Sequence, residues 1–238
     1  MKFLLIAPFY LLTSTLSFAS ETPPIATWKS DAELGFISTS GNTETDSTNA
    51  KLNVSYEKNK WRHEGKLASF SSSTGSQKTA DRVNIAEKSN YKITDHHYAF
   101  ISIDYEADKF SGYEYRASEA IGYGYRILPS EATTLDLFIG PGARQSKLDD
   151  GTSEDESILK LGLNFLLKIN KTSEFSESIT SEIGDDTTIT KSISALTSSV
   201  SDKLSLKLTY TIKDTSNVPP LVEETDTELS VSLVYNLL

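Results

Sequence analysis

The chain has 238 residues and a formal net charge of −10, with a mean hydropathy of −0.32. It contains no cysteine, which excludes a disulfide framework, thiolate metal sites and lipid attachment through an N-terminal cysteine. The acidic balance argues against nucleic acid as a partner.

Met1 and Lys2 open an uncharged, largely apolar stretch from Phe3 to Phe18, ending in Ser17-Phe18-Ala19 with small residues at both recognition positions. This is the form of a secretory signal peptide, residues 1–19, cut after Ala19; its removal takes away Lys2 and makes the charge −11. The run is short for a spanning helix and is interrupted by Pro8, Thr13 and Ser14. No other stretch approaches about 18 apolar residues, so if residues 20–238 sit in a membrane, strands must hold them there.

Twelve strands are predicted, at 28–40, 45–56, 61–70, 79–91, 98–108, 114–127, 133–143, 156–169, 172–183, 187–199, 203–214 and 225–238. The eleventh shows the pattern most clearly. Leu204, Leu206, Leu208, Tyr210 and Ile212 fall on one face, and Ser205, Lys207, Thr209 and Thr211 on the other. Strict alternation over about ten residues is what a tilted, bilayer-crossing strand of a barrel needs, because only alternate side chains meet lipid. The expected fold is therefore an all-β, antiparallel, up-and-down transmembrane barrel of about twelve strands. A soluble β-sandwich is the runner-up, since alternation also fits a sheet with one dry face.

The connectors divide into two sets. Residues 57–60, 92–97, 128–132, 170–171 and 200–202 are tight. Residues 41–44, 71–78, 109–113, 144–155, 184–186 and 215–224 are on average longer and richer in Gly, Ser and Asp. Short periplasmic turns and longer external loops are the rule in such barrels, which places both termini on the periplasmic side. Aromatics suggest two girdles. Trp28, Tyr56, Trp61, Tyr91, Tyr98, Tyr123, Tyr125 and Tyr235 lie toward the end of the termini, and Phe70, Tyr105, Phe110, Tyr113 and Tyr115 toward the other.

Sorting by parity directs a charged set inward: Lys29, Asp31, Glu33, Lys51, Arg62, Glu64, Lys66, Lys88, Asp104, Glu106, Arg116, Arg126, Asp136, Lys160, Glu174, Glu182, Lys207 and Glu228, joined by Lys213. Acids and bases nearly balance, so pairing across the lumen is expected, and a wide channel of one sign is not. Four charges fall on the lipid parity: Glu87, Glu119, Glu177 and Lys191, for which a bulge or an interfacial position is the expected cause. Strands nine and ten are rich in Ser and Thr, leaving mainly Phe175, Ile179, Ile189 and Ile193 to face lipid.

The stretch from Tyr91, YKITDHHYAFISIDYEADKFSGYEYRASEAIGYGYRIL, resembles the characteristic segment of the YdiY-like family, described as salt-induced outer-membrane proteins. The resemblance begins at Trp28 and residues 33–42 and is strongest at 108–113 and 121–126. It implies an outer-membrane β-barrel with no established molecular function, a possible salt or osmotic role, and no catalytic residues to carry over. Read from the residues themselves, 108–113 is a structural hairpin with Gly112 free to take a turn conformation. Gly122 and Gly124 face inward, where their missing side chains make room for Arg126 and an acidic partner.

Three functions follow. The first is a non-enzymatic barrel of the cell outer membrane that supports the envelope or passes small solutes slowly, with no catalytic, cofactor-binding or metal residues assigned and outer-membrane lipids as its surroundings. The second is a lipid hydrolase, for which the chain offers only His63, His96 and His97 and no GxSxG. The third is a loop-based module that binds divalent cations or a partner, resting on the five carboxylates of residues 148–156: Asp149, Asp150, Glu154, Asp155 and Glu156.

Overall fold

The structure, a computed structural model, describes residues 26–39, 45–219 and 222–238. The signal segment 1–19 and the whole of the first connector, 41–44, lie outside the described residues. Twelve strands follow in chain order: β1 Thr27–Thr39, β2 Thr45–Lys58, β3 Trp61–Thr74, β4 Gln77–Lys92, β5 His97–Asp108, β6 Tyr113–Pro129, β7 Thr133–Leu148, β8 Ser153–Lys168, β9 Ser173–Gly184, β10 Thr188–Ser199, β11 Leu204–Thr215 and β12 Thr225–Asn236. Each pairs antiparallel with its chain neighbours, and β1 pairs with β12 to close the barrel. Closure removes the sheet edge that a bilayer cannot solvate.

The two faces invert those of a soluble domain. Leu206, Leu208, Tyr210, Leu229, Val231 and Leu233 are exposed on the outside, while Glu33, Arg144, Lys160 and Lys213 are buried inside. A β-sandwich would place its apolar face in a dry core, so the sandwich alternative is excluded. Around the end that carries the termini runs a chain of outward rings. Trp28 packs on Tyr56 with ring centroids 4.6 Å apart, Trp61 on Tyr91 at 5.0 Å, and His97 on Tyr125 at 4.9 Å. At the other end Tyr105 stacks on Tyr115 at 5.8 Å. Tyr98, Phe70 and Tyr113 leave the girdles: all three lie on the lumen side, where Tyr98 joins a buried aromatic cluster and Phe70 sits beneath Arg82. A bulge between Tyr113 and Tyr115 carries Tyr113 inward.

Several connectors expected to be long are short. Strands β3 and β4 run on to a turn at residues 75–76, and β7 and β8 leave only residues 149–152 between them. Ser-rich 71–74 and the acidic 153–155 read as loops by composition, yet cross-strand pairing continues through both. The hairpin at 108–113 is structural, as expected. The Asp108 carboxylate accepts from Phe110 N–H at 3.1 Å, and Gly112 takes φ 76° against the Pro219 ring.

Closure is uneven. The β1–β2 ladder runs from Thr27 to Thr39, but β1–β12 pairs only from Asp31 to Gly35 against Asn236 to Ser232. Side chains reinforce this seam from within. Asn49 on β2 donates to Ser232 Oγ on β12 at 3.3 Å, and Lys207 on β11 reaches past β12 to Glu33 on β1 at 3.0 Å.

Candidate functional site

The barrel holds a lumen cavity of about 990 Å³, lined mainly by charged and amide side chains. Ion pairs cross it at several heights. Glu33, fully buried, accepts from Lys51 at 3.2 Å as well as from Lys207. Lys160 bridges Asp104 at 2.7 Å and Glu182 at 3.1 Å. Arg126 grips Asp136 through Nε and Nη2 at 2.7 and 2.9 Å, Arg82 meets Glu228 at 2.5 Å, and Lys213 pairs with Glu106. The pairing of Lys207 and Lys213 with lumen acids is the one expected from strand parity. In a low-dielectric interior each of these charges needs its partner, because removing one leaves the other uncompensated.

One wall is packed with rings. Phe100 and Phe138 meet edge to face with centroids 5.5 Å apart, with Tyr98 packed against them, and Lys88 Nζ stands 3.9 Å from the Phe138 ring centroid. The glycines of β6 serve this cluster rather than Arg126. A Cβ on Gly124 would strike the Tyr98 ring, and one on Gly122 would strike Phe100 and the Gly140 backbone. The expectation that both glycines make room for the guanidinium is corrected: rings fill that space, and Arg126 finds Asp136 through direct pairing of β6 with β7.

Three lumen cations lie outside the expected inward set: Arg82, Arg144 and Lys191. Arg144 falls in the expected connector 144–155, yet it is 2% exposed on β7 and pairs with Glu156, with Thr187 O accepting at 2.6 Å. Continuing the parity of Phe138 would have found it. Lys191 was assigned to the lipid face. Pairing of β10 with β11 sets Ala195 against Thr209 and Leu196 against Leu208, which turns Ile189, Lys191, Ile193 and Ala195 inward. The outer face of β10 is then Thr188, Thr190, Ser192, Ser194 and Leu196.

The other three misfits do face outward, and no bulge falls at them: Glu87 and Glu119 each sit opposite Ile103, and Glu177 opposite Ser194. Each carboxylate instead has polar company: Gln145 donates to Glu119 at 3.2 Å, Ser192 to Glu177 at 2.7 Å, and Ser89 to Glu87 at 2.6 Å. The last of these brings His63 within 2.6 Å of Ser89 Oγ, so a serine, a histidine and an acid meet on the outer wall. Their order does not suit nucleophilic catalysis, which needs the histidine between hydroxyl and acid. Here the Ser89 hydroxyl lies between His63 and Glu87, and His63 Nδ1 is 3.8 Å from the carboxylate. His96 and His97 are turn and girdle groups, His96 Nδ1 bonding Arg126 O at 2.9 Å.

At the rim, the acidic run is split. Glu156 turns inward to Arg144, while Asp149, Asp150, Glu154 and Asp155 stay exposed. Among the described residues no three acids, histidines or cysteines stand close enough to hold a metal ion. Asp150 accepts from Thr152 N–H at 2.8 Å, which holds its carboxyl below the ordinary range. At the opposite end, the Lys92 ammonium at 2.7 Å does the same for Asp95.

Comparison with known proteins agrees with this architecture. A curated relative from Escherichia coli (strain K12), "Uncharacterized protein YdiY", is 25% identical over 206 residues, covering 85% of this chain and 81% of the relative. Among solved structures, the NanC porin superposes with a TM-score of 0.57 at 10% identity, covering 88% of this chain and all of that one, a likeness of fold. The sequence model of one family matches residues 32–237, and the chain belongs to that family, described as "Protein of unknown function, DUF481".

Proposed function

We propose that this chain is a non-enzymatic barrel of the cell outer membrane, termini toward the periplasm, that lets small solutes pass slowly through a constricted lumen. The observation that carries the reading is the lumen itself: a cavity of about 990 Å³ whose walls are joined across by Glu33, Lys160 and Arg82 pairs. Water and small polar solutes fit such a space, and a large solute meets the ion pairs. The apolar outer belt suits outer-membrane lipids, and the ring contacts at each end suit its two interfaces.

We extend the proposal to the salt response that the family resemblance implies. Screening shortens from about 8 Å at physiological ionic strength to about 3 Å at 1 M salt. Lumen pairs bordering water therefore loosen as salt rises, and the constriction widens. Purified protein in planar bilayers tests this: small reproducible steps are expected, growing more steeply than bulk conductivity between 0.1 and 1 M salt, roughly the range over which screening changes most. Silence from well-inserted protein overturns the passage reading and leaves a barrel whose role is envelope integrity. Divalent cations bridging the exposed rim acids to lipid phosphates belong to the same proposal; calorimetry without calcium heat at millimolar concentration removes that part.

A further inference from the structure

Away from the exposed mouths, four lumen-facing cations have no carboxylate within ion-pair distance among the described residues: Lys66, Lys88, Arg116 and Lys191. Two are answered by rings. Lys88 lies over Phe138, and the Arg116 guanidinium stands 4.1 Å from the Tyr113 ring centroid. Lys66 on β3 and Lys191 on β10 have neither ring nor acid.

Both line the main cavity and a side cavity of about 130 Å³. Lys51, Lys207 and Arg82 line the side cavity as well, and its one carboxylate among the described residues is Glu228, already held by Arg82 at 2.5 Å. Lys51 and Lys207 share the single acid Glu33, so the surplus around this space is positive although the whole chain is strongly negative. A further group points the same way. Thr209 is 2% exposed, lines the side cavity, and its Oγ1 has no hydrogen-bond partner. Buried hydroxyls and cations without partners are rare, because each forfeits its hydration.

We propose that Lys66 and Lys191, flanked by Lys51, Lys207 and Thr209 Oγ1, form a lumen binding site for a small oxyanion, free or at the head of an acidic solute. Three features fit that class. The ammonium groups offer several donors around one centre, a hydroxyl stands ready to donate, and the space holds a few waters' volume, each about 30 Å³. The proposal rests on the reading that the lumen admits solutes, and it names the class that would be held on the way.

The test is calorimetry of the folded barrel in detergent at low ionic strength, with inorganic phosphate as the probe, on the wild type, a Lys66→Met/Lys191→Met double variant and Lys29→Met. Millimolar phosphate binding is expected in the wild type. The double variant should weaken it, on the order of tenfold for each lysine lost. Lys29→Met, a cation at the exposed mouth, should change it little. Heat-modifiable gel migration verifies folding of each variant. A Lys66→Gln/Lys191→Gln pair serves where the methionine variant does not fold. No phosphate heat in the wild type, or equal affinity in folded double variant and wild type, overturns the site. An equal loss in Lys29→Met also overturns it, replacing a site with diffuse lumen charge. Phosphate binding by a barrel that is silent in bilayers keeps the site and removes the passage reading. Conductance steps without phosphate binding or block do the reverse.

Discussion

The lumen wall of β5 to β8 and the side-cavity walls, where β3 faces β10 and β11 across the lumen, solve the same problem in opposite ways. On the first wall Tyr98, Phe100 and Phe138 fill the space that Gly122, Gly124 and Gly162 leave open, and Arg126, Arg144 and Lys160 are each met by an acid. On the second, Lys66 and Lys191 stand without acids beside an unfilled side cavity, and Thr209 keeps an unpartnered hydroxyl. A side chain that packs tightly and pairs its charge contributes to stability, and one that does neither is held in place by the rest of the barrel. The difference teaches that the first wall, Ser102 and Arg116 apart, is filled and paired by its own side chains, while the side cavity leaves space and charge for a solute.

The contrast breaks most visibly at Glu33. Its replacement by Ala leaves Lys51 and Lys207 uncompensated, and a loss of about 3 kcal/mol is expected in urea unfolding followed by gel migration. No loss would mean that the closing seam does not depend on its buried pairs. On the packed wall, Gly124→Ala pushes against the Tyr98 ring and should cost about 2 kcal/mol in the same assay. A neutral result there would show that wall to be as loose as its counterpart.

A change of opposite sign is expected on the outer surface of β9, next to β10. Glu177→Leu removes a lipid-facing charge and should raise stability in lipid vesicles by about 1 kcal/mol, less than the gain from a buried lysine because Ser192 and Ser194 lose their acceptor. A fall in stability would indicate that another protein surface covers this face. The smallest effect is at the rim. The depressed carboxyl of Asp150 contributes above the ordinary value of 3.8, and the contribution disappears as pH falls through the lower folded value. Asp150→Asn should lower stability slightly in the neutral range and so flatten the acid limb of the unfolding curve, leaving stability below the folded value unchanged.

Strand number and order were legible because apolar alternation is strict in β8, β11 and β12 and the remaining strands could be counted between them. Lumen pairs followed where parity was secure, as for Lys207 and Glu33. The reading failed where both faces of a strand carry the same chemistry. On β10 the residues Thr188 to Ser199 alternate hydroxyls with a few aliphatics, and only the neighbouring β11 fixes which side is wet. Serine and aspartate also suggested loops at 71–74 and 153–155 because composition does not register cross-strand pairing. The inward ring of Tyr98 had a signal in the sequence, since Ile101, Ile103 and Tyr105 take the outward parity, but its place at a strand end resembled a girdle. Which cation lacks a partner was not legible at all. That depends on strands 125 residues apart in the chain, as with Lys66 and Lys191, meeting across the lumen.

The short β1–β12 ladder also says something about how the molecule comes to exist. Its partners are the first and last strands, so they meet only when all the hairpins between them are in place. Glu33 and Lys207 lie on either side of that junction without belonging to the same ladder, and their ion pair forms when the ring has become a ring. A donor and acceptor dye at these two positions would therefore report the moment of assembly, and a barrel pulled apart would part there first.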